Sequence, residues 1–178
     1  FDESTLGKLP VRYKMTIDED AEPVAKPARK VPLAKQEQVK AELDRMVKLG
    51  VIEPVSEPTE WVSQMVAADK KDKNEIRLCI DPSDLNKALK RPLYPTRTIK
   101  DVIARVPEAK VFAVLDAKCG FWQIPLDQSS TKYCTFITGQ GRYKFLQMPY
   151  APLIEYGQPR NMIQGLVYLV ALHCRYVE

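Results

Sequence analysis

One aspartate follows a continuous apolar run and is the residue best suited to hold a metal ion. The run covers residues 111–115 and predicts a buried strand, and Asp116 comes directly after it. A buried strand fixes a carboxylate while its end opens to solvent, and a Mg²⁺ ligand needs both properties. An Asp after a strand is also a common turn residue or helix cap. The position alone leaves both interpretations open.

Basic side chains are concentrated in the middle of the chain, where phosphate groups are one candidate partner. The net charge is only +4 over 178 residues. The basic excess falls between residues 26 and 100 and includes the polar run Asp69-Lys-Lys-Asp-Lys-Asn-Glu75. Such a run contacts a phosphate backbone or forms an ordinary solvated surface, and charge does not distinguish these alternatives.

Hydrophobic periodicity predicts the elements that would position these side chains. A helix is expected over residues 33–49, capped by Gly50, with its apolar positions at Val39, Leu43, Met46 and Val47. Strands at 61–68 and 76–80 would flank the basic run as a hairpin. The remaining predictions are a helix after Thr98, the strand before Asp116, a hairpin of 133–138 with 142–147, and a weaker helical pattern from Pro152.

Residues 1–29 are acidic and rich in proline, which favours an extended leader or interdomain linker over a packed element. The four cysteines lack the spacing of a zinc site and are expected to be free thiols. No apolar run reaches the ~18 residues of a membrane span, so no membrane partner is expected. The default location is the cytoplasm or nucleus.

Five phrases follow one another along residues 29–150. The first three are Arg29-Lys-Val-Pro-Leu33 with Gly50-Val-Ile-Glu-Pro54, then Trp61-Val-Ser-Gln-Met65, then Lys70-Lys-Asp with Ile76-Arg-Leu-Cys-Ile-Asp-Pro-Ser-Asp-Leu-Asn-Lys87. The last two are Val111-Phe-Ala-Val-Leu-Asp-Ala-Lys-Cys-Gly-Phe-Trp-Gln-Ile-Pro-Leu126 and Gly141-Arg-Tyr-Lys-Phe-Leu-Gln-Met-Pro-Tyr150. In this order they resemble the reverse transcriptases of gypsy-type LTR retrotransposon and retroviral Pol polyproteins. The resemblance implies an α+β fold, with the fingers and a partial palm of a right-hand polymerase over residues 30–150.

The resemblance also implies a reaction, in which a primer 3′-hydroxyl attacks the α-phosphate of a nucleoside triphosphate. Two Mg²⁺ or Mn²⁺ ions about 3.5–4 Å apart would stabilise the attacking and leaving oxygens. Asp116 is the implied catalytic residue and metal ligand. The implied partners are an RNA or DNA template with its primer and deoxynucleoside triphosphates, in an intact element within a virus-like particle. The oligomeric state is not indicated.

Three further residues match nucleotide-binding positions of the family. Lys70 and Arg77 match basic fingers residues that hold the triphosphate, and a solvated hairpin is the alternative. Phe121 matches the aromatic residue that lies against the sugar and disfavours a 2′-hydroxyl, and core packing is the alternative. Packing and template contact are the two alternatives for four other residues, Trp122, Gln123, Tyr143 and Phe145.

The resemblance weakens after Tyr150. Ala151 stands where the family has a glycine, and residues 151–178 form a divergent C-terminal segment. The family's second catalytic motif carries two adjacent aspartates, and Glu178 is the candidate counterpart of the first, although 178 − 116 = 62 positions is shorter than the family interval. A polymerase fragment that is incomplete and inactive alone is therefore expected. The alternatives are a non-catalytic nucleic-acid-binding remnant and a non-functional translated fragment.

Overall fold

The computed structural model of this chain describes residues 5–69, 75–90, 104 and 119–149. The helices are α1 (Leu33–Lys48), α2 (Ser83–Ala88) and α3 (Gln128–Thr131), and the strands are β1 (Ile52–Pro54), β2 (Ser63–Asp69), β3 (Ile76–Asp81), β4 (Thr135–Thr138) and β5 (Gly141–Phe145). Two 3₁₀ helices occupy Gly120–Gln123 and Lys132–Cys134. The mixture of helices and strands confirms the α+β class.

Helix α1 has the predicted position and end. Pro32 precedes it with φ −54°, and Gly50 follows it with φ +65°, a left-handed conformation that glycine adopts at little cost. Gly50 N–H donates to the Val47 carbonyl at 2.9 Å, which satisfies a carbonyl group at the end of the helix. The predicted apolar face is correct except for Val47, which is 39% exposed. A helix of 3.6 residues per turn places Val47 beside the buried stripe and outside it.

The five strands form one sheet in the order β1-β5-β4-β2-β3. Strands β2 and β3 pair antiparallel, as predicted for the hairpin on either side of the basic run. Strands β4 and β5 form the second predicted hairpin, although residues 133 and 134 belong to a 3₁₀ helix. The two hairpins join through a short parallel pairing of β2 with β4, with Ser63 opposite Phe136 and Gln64 opposite Ile137.

Phe136 lies at the centre of the core. Its side chain is 1% exposed, its ring stacks on Tyr143 at a centroid distance of 5.8 Å, and it meets Phe145 at 5.1 Å. Aromatic pairs at these distances stabilise beyond the area that they bury. The core therefore rests on strand residues that are adjacent only in the folded sheet.

The N-terminal segment, defined here as residues 5–29, is extended and packs against the domain. Met15 in this segment is only 4% exposed, and its N–H donates to the buried Ser130 Oγ at 2.8 Å. The expectation of an unpacked leader is therefore wrong for these residues. Composition misled because the few apolar side chains of the segment pack on the core, among them Leu9, Tyr13 and Ile17, and its backbone adds hydrogen bonds that do not depend on side-chain type.

Several predicted features lie outside the described residues. These are the helix after Thr98, the strand at 111–115, the hairpin loop at 70–74 and the whole C-terminal segment from 151 to 178. The division of the chain into three domains stays a prediction. Cys79, Cys119 and Cys134 are free thiols, as expected. Among the described residues, no helix has the length and apolar character to cross a membrane.

Replacing Phe136 by alanine should lower the free energy of unfolding by about 3–5 kcal/mol, because the cavity lies among fully buried aromatic and aliphatic groups. Urea denaturation followed by circular dichroism measures this change. The matched control is Leu33→Ala, since Leu33 is 84% exposed and its truncation should stay within about 0.5 kcal/mol. Equal losses of unfolding free energy in the two variants would contradict the packing of Phe136 in the core.

Candidate nucleotide-binding surface

Strand β3 directs alternate side chains to two faces of the sheet. Ile76, Leu78 and Ile80 are buried on the core face, whereas Arg77 is exposed on the other face. Arg77 is paired in register with Ala68 of β2, whose methyl group is too short to cover a guanidinium. The pleat of β3 therefore presents a planar cation on the polar face, which is the geometry that suits a phosphate ligand.

The other residues of the predicted site are only partly within the described structure. Phe121 is described, whereas Lys70, Asp116 and Glu178 lie outside the described residues. The assembly of these residues into one site therefore stays a prediction. Within the described ranges, no cluster of three His, Cys, Asp or Glu side chains is arranged to hold a metal ion. Ligation of Mg²⁺ or Mn²⁺ by Asp116 or Glu178 stays a prediction.

Phe121 lies in a sharp turn that begins at a left-handed residue. Cys119 has φ 52° and ψ 41°, a conformation that is uncommon for residues other than glycine. Its carbonyl accepts from Trp122 N–H at 2.9 Å, and the Phe121 carbonyl accepts from Ile124 N–H at 3.0 Å. Phe121 is half-buried and packs against the hydrophobic core. Core packing is therefore real for part of this ring, and the sugar contact stays a prediction.

Trp122 ties this turn to helix α1 by an interaction that the sequence analysis missed. The indole is 4% exposed, and the Arg45 guanidinium carbon lies 5.4 Å from its ring centroid. Arg45 also donates to both carboxylate oxygens of Glu42, each at 2.7 Å. A cation held over an aromatic face in this way attracts the ring. The i,i+3 spacing of Glu42 and Arg45 predicts their ion pair from the sequence, but it does not indicate which aromatic residue Arg45 contacts.

The structure bears on the residues for which the sequence left packing and template contact as alternatives. Phe145 is 1% exposed and Tyr143 stacks on Phe136, so both rings serve the core. The Gln123 side chain lies against the N-terminal segment, since a Cβ built at Gly7 would stand 2.9 Å from Gln123 Oε1. These contacts support the packing interpretation for Phe145, Tyr143 and Gln123.

The end of the N-terminal segment contacts the face that carries Arg77 at the other end of the β2–β3 pairing, where Gln64 lies opposite Asp81. Gln64 of β2 donates through Nε2 to the Pro27 carbonyl at 3.0 Å and accepts from Arg29 at 3.3 Å. Lys26 contacts Asp84 at 2.5 Å, and this hydrogen bond holds the pKa of the Asp84 carboxyl below its ordinary value, against the opposing effect of burial. The Asp84 carboxylate therefore anchors the segment beside the sheet.

No family model matches the chain. An uncharacterized protein of Caenorhabditis elegans is 36% identical over 135 residues, which cover 75% of this chain and 10% of that protein. The Pol polyprotein of transposon 412 from Drosophila melanogaster is 32% identical over 136 residues, covering 74% of this chain and 11% of the polyprotein. The Pol polyprotein of transposon gypsy, from the same fly, is 30% identical over 134 residues and 74% of this chain, with 13% of its own length covered. The chain belongs to the family of retrotransposon Pol polyproteins. It spans only 10% to 13% of the length of these three relatives.

Solved structures of foamy virus protease–reverse transcriptase share the fold of this Pol segment. The prototype foamy virus protein superposes with a TM-score of 0.69 at 17% identity, covering 83% of this chain and 20% of the viral chain. A second foamy viral structure, in complex with an RNA/DNA hybrid, gives a TM-score of 0.63 at 14% identity, with the same coverage of both chains. The expected reverse-transcriptase type of fold is thereby confirmed.

Acid should destabilise the domain through Asp84. Its folded-state pKa is lowered, so its contribution is present above the pKa of an unfolded Asp, about 3.9, and is lost as the pH falls through the lower folded value. Asp84→Asn should be less stable than the parent at pH 7, and the difference should shrink towards pH 3. Urea denaturation at both pH values measures it.

The matched control for Asp84→Asn is Asp44→Asn, because Asp44 is an exposed carboxylate on α1. This control should show no comparable change in the difference between pH 7 and pH 3. If the difference in stability between Asp84→Asn and the parent is the same at pH 7 and pH 3, the ionised carboxylate of Asp84 does not stabilise the fold.

Proposed function

We propose that this chain supplies the fingers and part of the palm of an RNA-directed DNA polymerase. Its ligands would be a template–primer duplex and deoxynucleoside triphosphates. The proposal rests on one observation above all, namely that a Pol segment with this fold places Arg77 on the exposed face of β3. The relatives are much longer than this chain, so the activity of the complete polymerase is part of the proposal.

Nucleic acid is the partner that the fold neighbours favour. One foamy viral protease–reverse transcriptase was solved with an RNA/DNA hybrid, and another with double-stranded DNA at a TM-score of 0.59 and 13% identity. The net charge of +4 of this chain agrees in sign with a phosphate-bearing partner. A binding role without catalysis would use the same surface, and the experiments below separate the two.

Arg77 and Phe121 would act by holding the nucleotide. A guanidinium offers several N–H donors in one plane, so Arg77 can contact two phosphate oxygens together. Phe121 is held by a 3₁₀ turn packed on the core, and a ring fixed in this way can exclude a sugar substituent by its volume. In the complete family site, two divalent ions would supply charge stabilisation at the reacting phosphate, and Asp116 is their proposed ligand.

The purified chain should bind a labelled RNA/DNA template–primer with an affinity that falls as salt increases. For duplex DNA the loss is about 0.9 log units per log unit of salt for each phosphate contacted, and an affinity driven by phosphate contacts should follow a line of this kind. Fluorescence anisotropy between about 50 and 200 mM KCl measures the slope. An affinity that does not depend on salt, or no binding, would contradict the proposed partner.

Arg77→Ala should weaken binding of the incoming nucleotide to the template–primer complex by about tenfold or more, because a charge-assisted hydrogen bond contributes about 1.5–3 kcal/mol. Arg77→Lys should restore part of the loss, since it returns the charge without the planar donors. Arg12→Ala removes another exposed arginine and serves as the control. Equal losses in Arg77→Ala and Arg12→Ala would show only a general charge effect.

The 178 residues alone should not extend a primer on an RNA template with Mg²⁺ or Mn²⁺. Asp116 by itself offers too little negative charge and too few ligands to hold two ions with a combined charge of +4. A primer-extension assay with Asp116→Asn as the control tests this. Incorporation that disappears in the variant would contradict the expectation and make Glu178 the second ligand. Salt-sensitive binding without incorporation agrees with it.

A further inference from the structure

The N-terminal segment pairs through its backbone with both sides of the chain region that contains Asp116. On one side, Thr16 accepts from Lys90 N–H at 2.9 Å and Asp18 N–H donates to the Ala88 carbonyl at 2.8 Å. Lys90 is the last described residue before position 104, and it also contacts the Asp18 carboxylate at 3.3 Å. This side of the region is therefore tied to residues 16–18.

The other side is tied to residues 9–13 of the same segment. Tyr13 N–H donates to the Pro125 carbonyl and the Tyr13 carbonyl accepts from Asp127 N–H, both at 2.8 Å. Leu9 N–H donates to the Gln123 carbonyl, also at 2.8 Å. These partners follow within eight residues of Cys119, where the description resumes.

Met15 lies between the two sets of backbone pairs and fixes the segment in the core. It is 4% exposed, its N–H donates to Ser130 Oγ at 2.8 Å, and its sulfur lies 4.0 Å from Cys134 Sγ. Burial of the Cys134 thiol raises its pKa to about 12, so this sulfur is neutral and suits an apolar contact.

We infer that the N-terminal segment is a clasp that fixes the distance between the two sides of the Asp116 region. Residues 88–90 and 123–127 both hydrogen-bond to residues 9–18, so a movement of one stretch relative to the other would break some of these bonds. The importance of Asp116 rests on the proposed function, whereas the clasp itself rests on these contacts.

Two amides outside the segment report directly on whether the clasp is closed. They are the N–H groups of Lys90 and Asp127, which donate to Thr16 and Tyr13 respectively. If the clasp opens as one unit, these amides must become free to exchange with solvent together. Site-resolved hydrogen exchange by NMR on the full chain can follow both amides.

Met15→Ala should speed exchange of the Lys90 and Asp127 amides by the same factor, at least about tenfold, because it removes the central anchor. The amides of β4 and β5 should change much less. Val11→Ala is the matched control, since Val11 belongs to the same segment and is 53% exposed, and it should leave both amides unchanged. Acceleration of only one amide, or equal acceleration throughout the domain, would overturn the clasp.

If Met15→Ala does not fold, the parent chain still provides a test. Exchange measured in rising, sub-denaturing urea should give Lys90 and Asp127 one common opening free energy and one common slope, and different values would overturn the clasp. This readout needs neither metal nor nucleic acid. If the Lys90 and Asp127 amides exchange together in a chain that binds no template–primer, the clasp is supported and the proposed function is contradicted.

Discussion

The parallel pairing of β2 with β4 is the constraint on which the rest of the structure depends. Only Ser63 with Phe136 and Gln64 with Ile137 are aligned across it, yet this pairing joins two antiparallel hairpins into one sheet. Parallel neighbours need a long crossover between them, and the chain between β2 and β4 includes β3, Asp116 and the turn at Phe121. The positions of Arg77 and Phe121, the two candidate site residues within the described part of this crossover, therefore depend on how the crossover is anchored.

Hydrophobic burial supports this pairing from the core face. Phe136 contributes the ring that Tyr143 and Phe145 pack against within the β4–β5 hairpin. Phe136 and Phe145 also belong to the core cluster that contains Met65 of β2. The opposite face carries Arg77 and Gln64 on adjacent strands, with Val66 and Cys79 between them. Successive side chains of a strand point to opposite faces, so the same strands supply residues to the core and to the candidate binding surface.

The features that the sequence predicted are those with a local signal. Helix α1 has a 3.6-residue apolar repeat and a glycine at its end, and the strands beside the basic run have alternating or continuous apolar residues. Met15 alternates with polar residues between Tyr13 and Ile17, which is a strand signal that the acidic, proline-rich composition of residues 1–29 obscured. Its partner Ser130 is 115 residues away and could not be predicted from spacing. Strand β1 is three residues long and ends in Pro54, which is too short for a periodic pattern. At the candidate site, strand alternation makes the exposure of Arg77 predictable, whereas the Arg45–Trp122 contact joins distant elements that no spacing rule connects.

The distance in sequence between Met15 and Ser130 has a consequence for synthesis of the protein. A ribosome adds about 5–20 residues per second, so the 115 residues that separate this pair take roughly 6 to 23 s to make. During this time the N-terminal segment has emerged without the residues that bury Met15. Met15 and residues 9–13 therefore lack their partners among residues 123–134 until those residues have been translated, and they are accessible to proteases and chaperones during this time. Residues 18–30 contain few large apolar side chains, so this part of the segment exposes little apolar surface while it waits.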